Sequence, residues 1–405
     1  MKSAKTIPAD RGLSHAIIDL FKQALFKKSF DALLIPVKIP ETEAYSWVLL
    51  NEESLLDKAV PLPPVMPNQG GNALSHVTKH GNLNLKIAAL MRPCEIRAVV
   101  ELQKLKQIDL ENITLISIDC PGAAPLSDYM ADPEKIEKSY GILLEDWESQ
   151  DILRPVCQIC EKFSVSVSSI SSPEEMPSEE TPTTPFSSDL HIGLLGGNGK
   201  EIYAIPLTSK GEELLSNLDL ESRESIEEWE SGVREIQKKK IMERDKFNTT
   251  WTERLSGTDK FIDAFDRCIN CHNCMRVCPV CYCRQCYFDS RTLRLSPQEM
   301  LTRAGQRGAL RFPLDTILFH LGRMSHMVLS CVSCGACEDA CPMSIPVAQI
   351  FTTVGDRMQK DFHYMPGRNR EEILPLQDFL EDEWHEVETP RETGESSAGE
   401  AEKNA

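Results

Sequence analysis

The chain of 405 residues has no apolar run approaching the roughly 20 residues a membrane helix needs. A helical membrane span is therefore excluded, although a peripheral place on a membrane complex stays open. Its first residues, Met1 to Ser14, mix lysine, aspartate and arginine without an apolar core, so they do not read as a secretory signal. No long repeat is present. Excess positive charge is lacking too: 44 Lys and Arg stand against 62 Asp and Glu, a net charge of −18. That balance argues against nucleic acid as a partner. No signature of a metal–pterin or nickel–iron centre appears, so the chain is not expected to carry such catalysis alone, and no catalytic residue is identified. What is left is a soluble globular protein, 41% hydrophobic and 26% charged, expected in the cytoplasm and long enough for two or three domains.

Cysteine, by contrast, is abundant, with fifteen in the chain. In a reducing compartment this points to metal ligation rather than disulfides. So many clustered thiolates also oxidise readily, which suits an anaerobic cell. The strongest signal is a duplicated motif. Cys268, Cys271, Cys274 and Cys278 read C-x2-C-x2-C-x3-C, followed by Pro279. Cys331, Cys334, Cys337 and Cys341 repeat the spacing, followed by Pro342. Three cysteines on one loop supply one face of a [4Fe-4S] cluster, and in this motif the fourth serves the other cluster. The expected sets are therefore Cys268, Cys271, Cys274 and Cys341 for one cluster, and Cys331, Cys334, Cys337 and Cys278 for the other. Zinc is the competing reading, but its sites usually show paired C-x2-C units rather than two triplets with a trailing Cys-Pro.

A second group lies earlier. Cys94 follows a predicted strand at a helix start, in Arg92-Pro93-Cys94-Glu95, and Cys120 follows the next strand, in Asp119-Cys120-Pro121-Gly122. Parallel neighbours place both loops at the carboxyl edge of a sheet, where open α/β sheets bind ligands. Cys157 and Cys160 complete a set of four, enough for a third [4Fe-4S] cluster; the competing reading is two buried thiols and a pair that binds zinc or nothing. Cys281, Cys283 and Cys286 remain, either as free thiols or as ligands of a further site whose fourth ligand is not evident. His320 and His326 lie six apart on a predicted helix and read as packed histidines or as partners of a cluster. Residues 291–330 carry a net charge near +4, able to offset anionic clusters.

The first 160 residues read as α/β. A helix is expected over 13–30, a strand over 32–37, and a βαβ unit over 86–118. Residues 168–188 are rich in Ser, Pro, Thr and Glu and read as a mobile insertion. Strands are expected again at 191–195 and 202–206, around a Gly196–Gly199 turn. The fold class expected is α+β with several domains: an α/β domain with a mixed or parallel sheet over 10–220, a helical connector over 221–254 and an α-helical ferredoxin-like dicluster domain over 255–352. An extension over 353–386 and a disordered acidic tail over 387–405 follow. Nine acids and two bases fall between Glu381 and Ala405.

Two resemblances sharpen this. The 52 residues between Cys278 and Cys331, with predicted helices at 297–307 and 314–327, resemble the α-helical ferredoxin module of succinate dehydrogenase iron–sulfur subunits and heterodisulfide reductase subunits. The stretch KIAALMRPCEIRAVVELQKLKQIDLENITLISIDCPG at 86–122, with RPVCQIC at 154–160 and PLTSKGEELL at 206–215, resembles the beta subunits of coenzyme F-420-reducing hydrogenase and F-420-dependent formate dehydrogenase. That resemblance implies a cluster on Cys94, Cys120, Cys157 and Cys160, and FAD exchanging hydride with a deazaflavin. It also implies a catalytic dehydrogenase or hydrogenase subunit as partner, or a heterodisulfide-reductase-like one. The acceptor could be deazaflavin, nicotinamide, ferredoxin or that partner. A flavin-free adaptor is the alternative. No strand–turn–helix flavin fingerprint is evident; Gly70, Gly71 and Asn72, or Gly196 and Gly197, are the candidate phosphate-contacting turns, and each also reads as a plain turn.

Overall fold

The computed structural model describes residues 4–375, apart from 67, 80, 82–83, 149, 166–186, 197–198, 224 and 294, together with residue 377. Gly197, nearly all of the 168–188 insertion, the acidic tail and most of the extension beyond residue 375 lie outside the described residues.

The centre of the molecule follows from three apolar runs. Ala32–Lys38 (β2), Ile87–Met91 (β4) and Ile113–Ile118 (β5) are buried along almost their whole length. Continuous burial of this kind belongs to parallel strands covered on both faces. β2 pairs with β4, β4 with β5, and β5 with Leu190–Gly193 (β6), all in parallel. Tyr45–Leu50 (β3) closes one side antiparallel to β2. On the other side Glu201–Pro206 (β7), Ala4–Pro8 (β1) and Glu221–Arg223 (β8) add antiparallel strands, so the sheet is mixed, in the order β3-β2-β4-β5-β6-β7-β1-β8. Pro36 is tolerated because the β2–β4 ladder ends at Leu34.

Helices cover the sheet. Leu13–Phe26 (α1) is the expected first helix, ending four residues early. Gly70–Thr78 (α2) and Pro93–Lys104 (α3) pack on each other. Pro93 opens α3, where a missing N–H costs nothing. Leu126–Ala131 (α4), Pro133–Asp146 (α5) and the single turn Pro155–Gln158 (α6) lead to the second cysteine pair. Ser209–Ser216 (α7) follows β7.

Glu227–Leu255 (α8) is the helix of the expected connector, and its packing explains its composition. Trp229 and Val233 join the core of the α/β part, while Trp251 joins a second core with Phe265, Phe319 and Phe351. One helix thus serves both cores. Between those ends its buried positions are charged. Lys240 donates to the carbonyls of Cys157 and Gln158 at 2.8 and 3.2 Å. Arg244 makes two bonds to Asp356, at 2.7 and 2.5 Å.

The second core is built by short helices: Thr258–Ala264 (α9), Asn273–Arg276 (α10), Pro297–Arg307 (α11), Thr316–Met327 (α12), Ala336–Asp339 (α13) and Val347–Asp361 (α14). After α14 the chain returns to α3. Tyr364 Oη donates to Glu101 at 2.6 Å, and the Gly367 amide donates to the same carboxylate at 2.8 Å.

The Arg244–Asp356 pair yields a stability prediction. Burial pushes the Asp356 carboxyl up, but the Arg244 charge and hydrogen bonds outweigh it and hold the group below the usual carboxylate range. A depressed folded pKa means stability present above the unfolded carboxylate value of about 4 and lost as pH falls through the folded one. Asp356→Asn leaves the buried guanidinium with only Glu161, 3.9 Å away, as counter-charge and should cost about 3 kcal/mol at neutral pH, with the deficit shrinking on acidification below about pH 4. Urea unfolding of anaerobic protein across pH checks this; an unchanged midpoint at neutral pH would refute it.

Candidate metal centres

The duplicated cysteine motif has a duplicated backbone. In Cys268–Cys274 the left-handed residues are Asn270 (φ 56°) and His272 (φ 62°). In Cys331–Cys337 they are Ser333 (φ 55°) and Gly335 (φ 81°), at the same two places. Each loop then enters a one-turn helix, α10 or α13. Alternating right- and left-handed residues turn successive N–H groups inward, a concavity that suits anionic iron–sulfur groups. Accordingly the Asn270 amide donates to Cys268 Sγ at 3.4 Å. The Ser333 and Ala336 amides do the same for Cys331 and Cys334.

The fourth cysteines cross over. Cys278 lines a cavity shared with Cys331, Cys334 and Cys337. Cys341 lies among Cys268, Cys271 and Cys274, whose like charges act on one another. Among the described residues no three His, Cys, Asp or Glu side chains converge as the ligands of a single ion. A cubane does not ask for that, since each of its four irons takes its own thiolate.

The α/β part brings its four cysteines to one place. Cys94 is the second residue of α3. The residue is half-buried, and its thiol is pushed up first by burial and then by Glu95, Cys334, Cys120 and Cys160. Cys120 follows β5, and Arg92 Nη1 donates to its sulfur at 3.2 Å. Cys157 sits in α6, and burial pushes its thiol up to about 11, with Cys160 and Cys120 adding to the shift. Gly122 makes this approach possible. It has φ +135°, and a Cβ there would lie 2.9 Å from Cys157 Cβ and 2.8 Å from Leu153 Cδ1. β5 is anchored just before Cys120 by a buried network. Asp119 accepts from Trp229 Nε1 and the Leu194 amide at 2.7 Å each, and pairs with His191 at 2.9 Å.

The cysteine groups are contiguous. Arg154, one residue before α6, donates to the Cys334 carbonyl at 2.9 Å and pairs with Asp339. Arg97 of α3 donates to the Val332 carbonyl at 2.6 Å. Cys334 therefore sits against the α/β group, and the loop of the second triplet forms the junction. Gly335 permits it: a Cβ would lie 3.0 Å from both Arg154 Cδ and Val156 Cγ2. Gly335→Ala combines that clash with a left-handed strain of about 1–2 kcal/mol. It should destabilise the junction and raise the rate of cluster loss in air, measured by bleaching of the brown absorbance; wild-type bleaching would refute it.

The remaining residues fall variously. Cys281 lies one turn beyond Cys278, and its amide donates to the Cys278 carbonyl at 3.2 Å. Ser344 makes the same bond to Cys341 at 3.2 Å, so Cys281 occupies the position of Ser344 in the repeat. Cys286 Sγ is 3.7 Å from Met275 Sδ, and Cys283 is exposed. His320 is buried, stacks on Phe265 with ring centroids 3.8 Å apart, and lies 3.4 Å from Cys268 Sγ. Burial, with Arg323 and His272, pushes it down to about 3, so it is neutral. His326 is exposed.

The glycine turns are engaged elsewhere. The Gly70 amide donates to Glu95 at 3.0 Å, and the Gly71 amide to Gln69 at 2.6 Å. A Cβ on Gly70 would lie 2.8 Å from Trp47. Asn72 turns to the cysteine loops, donating to the Val277 carbonyl at 3.1 Å. Gly196 packs on the start of α8, 2.9 Å from the Trp229 amide nitrogen if given a Cβ. The Gly70 and Gly71 amides do not fit a pyrophosphate cradle. Asn72 does line a cavity of about 600 Å³ that reaches Cys278 and Cys281.

The donor set fits iron–sulfur clusters. Burial pushes the thiols of Cys157, Cys274 and Cys334 up to about 11, so without a metal they stay neutral in a dry site; ligation to iron deprotonates them. Buried donors Arg97 Nε, Arg154 Nε and Arg323 Nε have no partner among the described residues, and all three side chains contact the cysteine loops.

Comparison with known proteins agrees with these features. Residues 238–345 match the 4Fe-4S dicluster domain family. The F420-dependent formate dehydrogenase subunit beta of Methanocaldococcus jannaschii is 25% identical over 383 residues, covering 87% of this chain and 91% of that protein. The F420-dependent formate dehydrogenase 1 subunit beta of Methanococcus maripaludis is 28% identical over 389 residues, covering 87% and 90%. A solved chain from the F420-reducing [NiFe] hydrogenase complex of Methanosarcina barkeri, as a xenon derivative, superposes with a TM-score of 0.43 at 14% identity, covering 64% of this chain and 94% of that one. The chain is thus similar along most of its length to formate dehydrogenase beta subunits, and it carries a 4Fe-4S dicluster domain. Among the described residues no helix is long and apolar enough to cross a membrane.

Proposed function

We propose that this chain is the iron–sulfur electron-transfer subunit of an oxidoreductase complex of the formate dehydrogenase or F420-hydrogenase type. The observation that carries the proposal is continuity. Cys94 faces Cys334 across the junction held by Arg97 and Arg154, and Arg323 spans Cys274 and Cys337. A row of thiolate sites inside one compact unit serves to move single electrons. Cys94, Cys120, Cys157 and Cys160 would hold one [4Fe-4S] cluster. Cys331, Cys334, Cys337 and Cys278 would hold the second, and Cys268, Cys271, Cys274 and Cys341 the third. When bound, such clusters supply one-electron oxidation and reduction.

The chain's own residues do the rest. Arg92 and the loop amides hydrogen-bond the sulfurs, which favours the more negative, reduced state. The aromatic layer of Phe265, Phe288, Phe319 and Phe351 keeps the dicluster part dry. Formate or hydrogen would be oxidised by a separate catalytic subunit. A deazaflavin, nicotinamide, ferredoxin or heterodisulfide-reductase-like partner would take the electrons. The Gly70 and Gly71 amides, one candidate contact for a flavin phosphate, are already engaged by Glu95 and Gln69. The flavin-free adaptor is therefore a specific second reading, favoured by those two hydrogen bonds.

Anaerobic purification with iron, sulfide and flavin quantification tests both readings. About four irons per cluster and an EPR signal on reduction are expected. A well-folded protein without iron would refute the proposal. Flavin released on denaturation would reject the adaptor reading; its absence would favour it.

A further inference from the structure

Arg323 lies on α12, is 2% exposed, and stands between the two cysteine sets of the dicluster part. Its Nη1 donates to Cys274 Sγ at 3.1 Å and its Nη2 to the Cys274 carbonyl at 3.2 Å. The same side chain walls the cavity lined by Cys278, Cys331, Cys334 and Cys337. The rings of Phe319 and Phe351 flank it, with centroids 5.6 and 4.7 Å from the guanidinium carbon. Among the described residues no carboxylate forms an ion pair with it, and its Nε has no partner.

A buried guanidinium without a carboxylate is costly. The sulfurs it faces are Cys274 of one set, Cys278 and Cys337 of the other, and Cys281, which belongs to neither. We propose that Arg323 is a shared potential-setting residue, one cation that raises the reduction potentials of both dicluster clusters together and so keeps them matched for electron passage. The inference rests on the dicluster reading above. Its physics is simple: reducing either cluster adds negative charge beside a fixed positive charge in a dry, low-dielectric layer, and the planar fork donates to a ligating sulfur, a bond that strengthens as the sulfur gains charge. A lysine in its place would keep the charge but lose the fork.

Potentiometric titration followed by EPR tests this on the full chain purified without oxygen. Arg323→Gln should lower both midpoints, each by at least a tenfold change in the equilibrium for accepting the electron, about 59 mV for a one-electron couple. Arg323→Lys should lower both by less. A variant with full iron and sulfide and unchanged midpoints would overturn the proposal, and so would a fall in only one midpoint. Should Arg323→Gln lose iron, Arg323→Met, neutral and of similar length, decides instead: two lowered midpoints support the proposal, and unchanged ones reject it. Wild-type protein without two reducible clusters would instead overturn the dicluster reading, and the two failures are distinguished by iron content before any titration.

Discussion

Cys278→Ala should abolish the EPR signal of the cluster whose other ligands are Cys331, Cys334 and Cys337, although Cys278 sits in the other motif. The expectation follows from the shared cavity: Cys278 lies with the second triplet, although 52 residues separate it from Cys331 in the chain. The reduced spectrum of Cys278→Ala should match that of Cys334→Ala, and the spectrum of Cys341→Ala should match that of Cys271→Ala. Each variant should lose up to about four irons. One neighbour complicates the first case. Cys281 lies beside Cys278, and their contact, with burial, pushes its thiol far up. It is placed to substitute as a ligand, so the double variant Cys278→Ala, Cys281→Ala is the stricter test. If either Cys278 variant disturbs only the cluster of Cys268, Cys271 and Cys274, the crossed assignment is wrong.

The legible parts of the fold were those with strong local signals. Strands β4 and β5 and the intervening helix were readable because IAALM is an unbroken apolar run, ITLISI carries Ile or Leu at four of six positions, and Pro93 marks the helix start. Helices at 297–307 and 314–327 were expected; the structure has Pro297–Arg307, capped by Ser296 and Glu299, and Thr316–Met327. The antiparallel side of the sheet was not foreseen in full. β1 and the edge strand β8 are short segments whose pairing partners lie about 200 residues away, and nothing local encodes such a register. The connector was readable as helical, but its role was hidden by its charge. Lys240 and Arg244 look like a solvated face in sequence, yet they are buried against carbonyls and a carboxylate on other elements. The cysteine sets could be grouped by spacing. The arginines that join them could not: Arg323 carries no motif, and although Arg97 and Arg154 lie in the quoted stretches, their roles appear only when distant loops meet. Gly122 and Gly335 belonged to recognisable motifs, but the close approaches they permit are tertiary facts. At Gly70 and Gly71 the structure shows a helix start packed on its neighbours, with Glu95 and Gln69 holding the amides.

The junction makes the largest functional prediction. Cys94→Ala should remove the cluster of the α/β part while leaving the dicluster part intact, because Cys94 belongs to α3 and the dicluster loops form their own core with Trp251, Phe319 and Phe351. Iron should fall by about four per chain, and the EPR signals of the other two clusters should persist. Electron passage through the assembled complex should drop to background, because Cys94 is the cysteine of its set that faces Cys334. Cys283→Ala is the control, since Cys283 is exposed and lies outside all three sets; it should keep full iron and full electron passage. Loss of Cys94 also tests the placement of Arg92. With the cluster gone, a buried guanidinium beside Cys120 has lost much of its counter-charge, so the variant should unfold at lower urea than wild type, whereas removing a surface thiol should leave the midpoint unchanged. A Cys94→Ala protein with undiminished iron would show that Cys120, Cys157 and Cys160 do not need it. A protein with diminished iron but unimpaired electron passage would place the α/β cluster off the path.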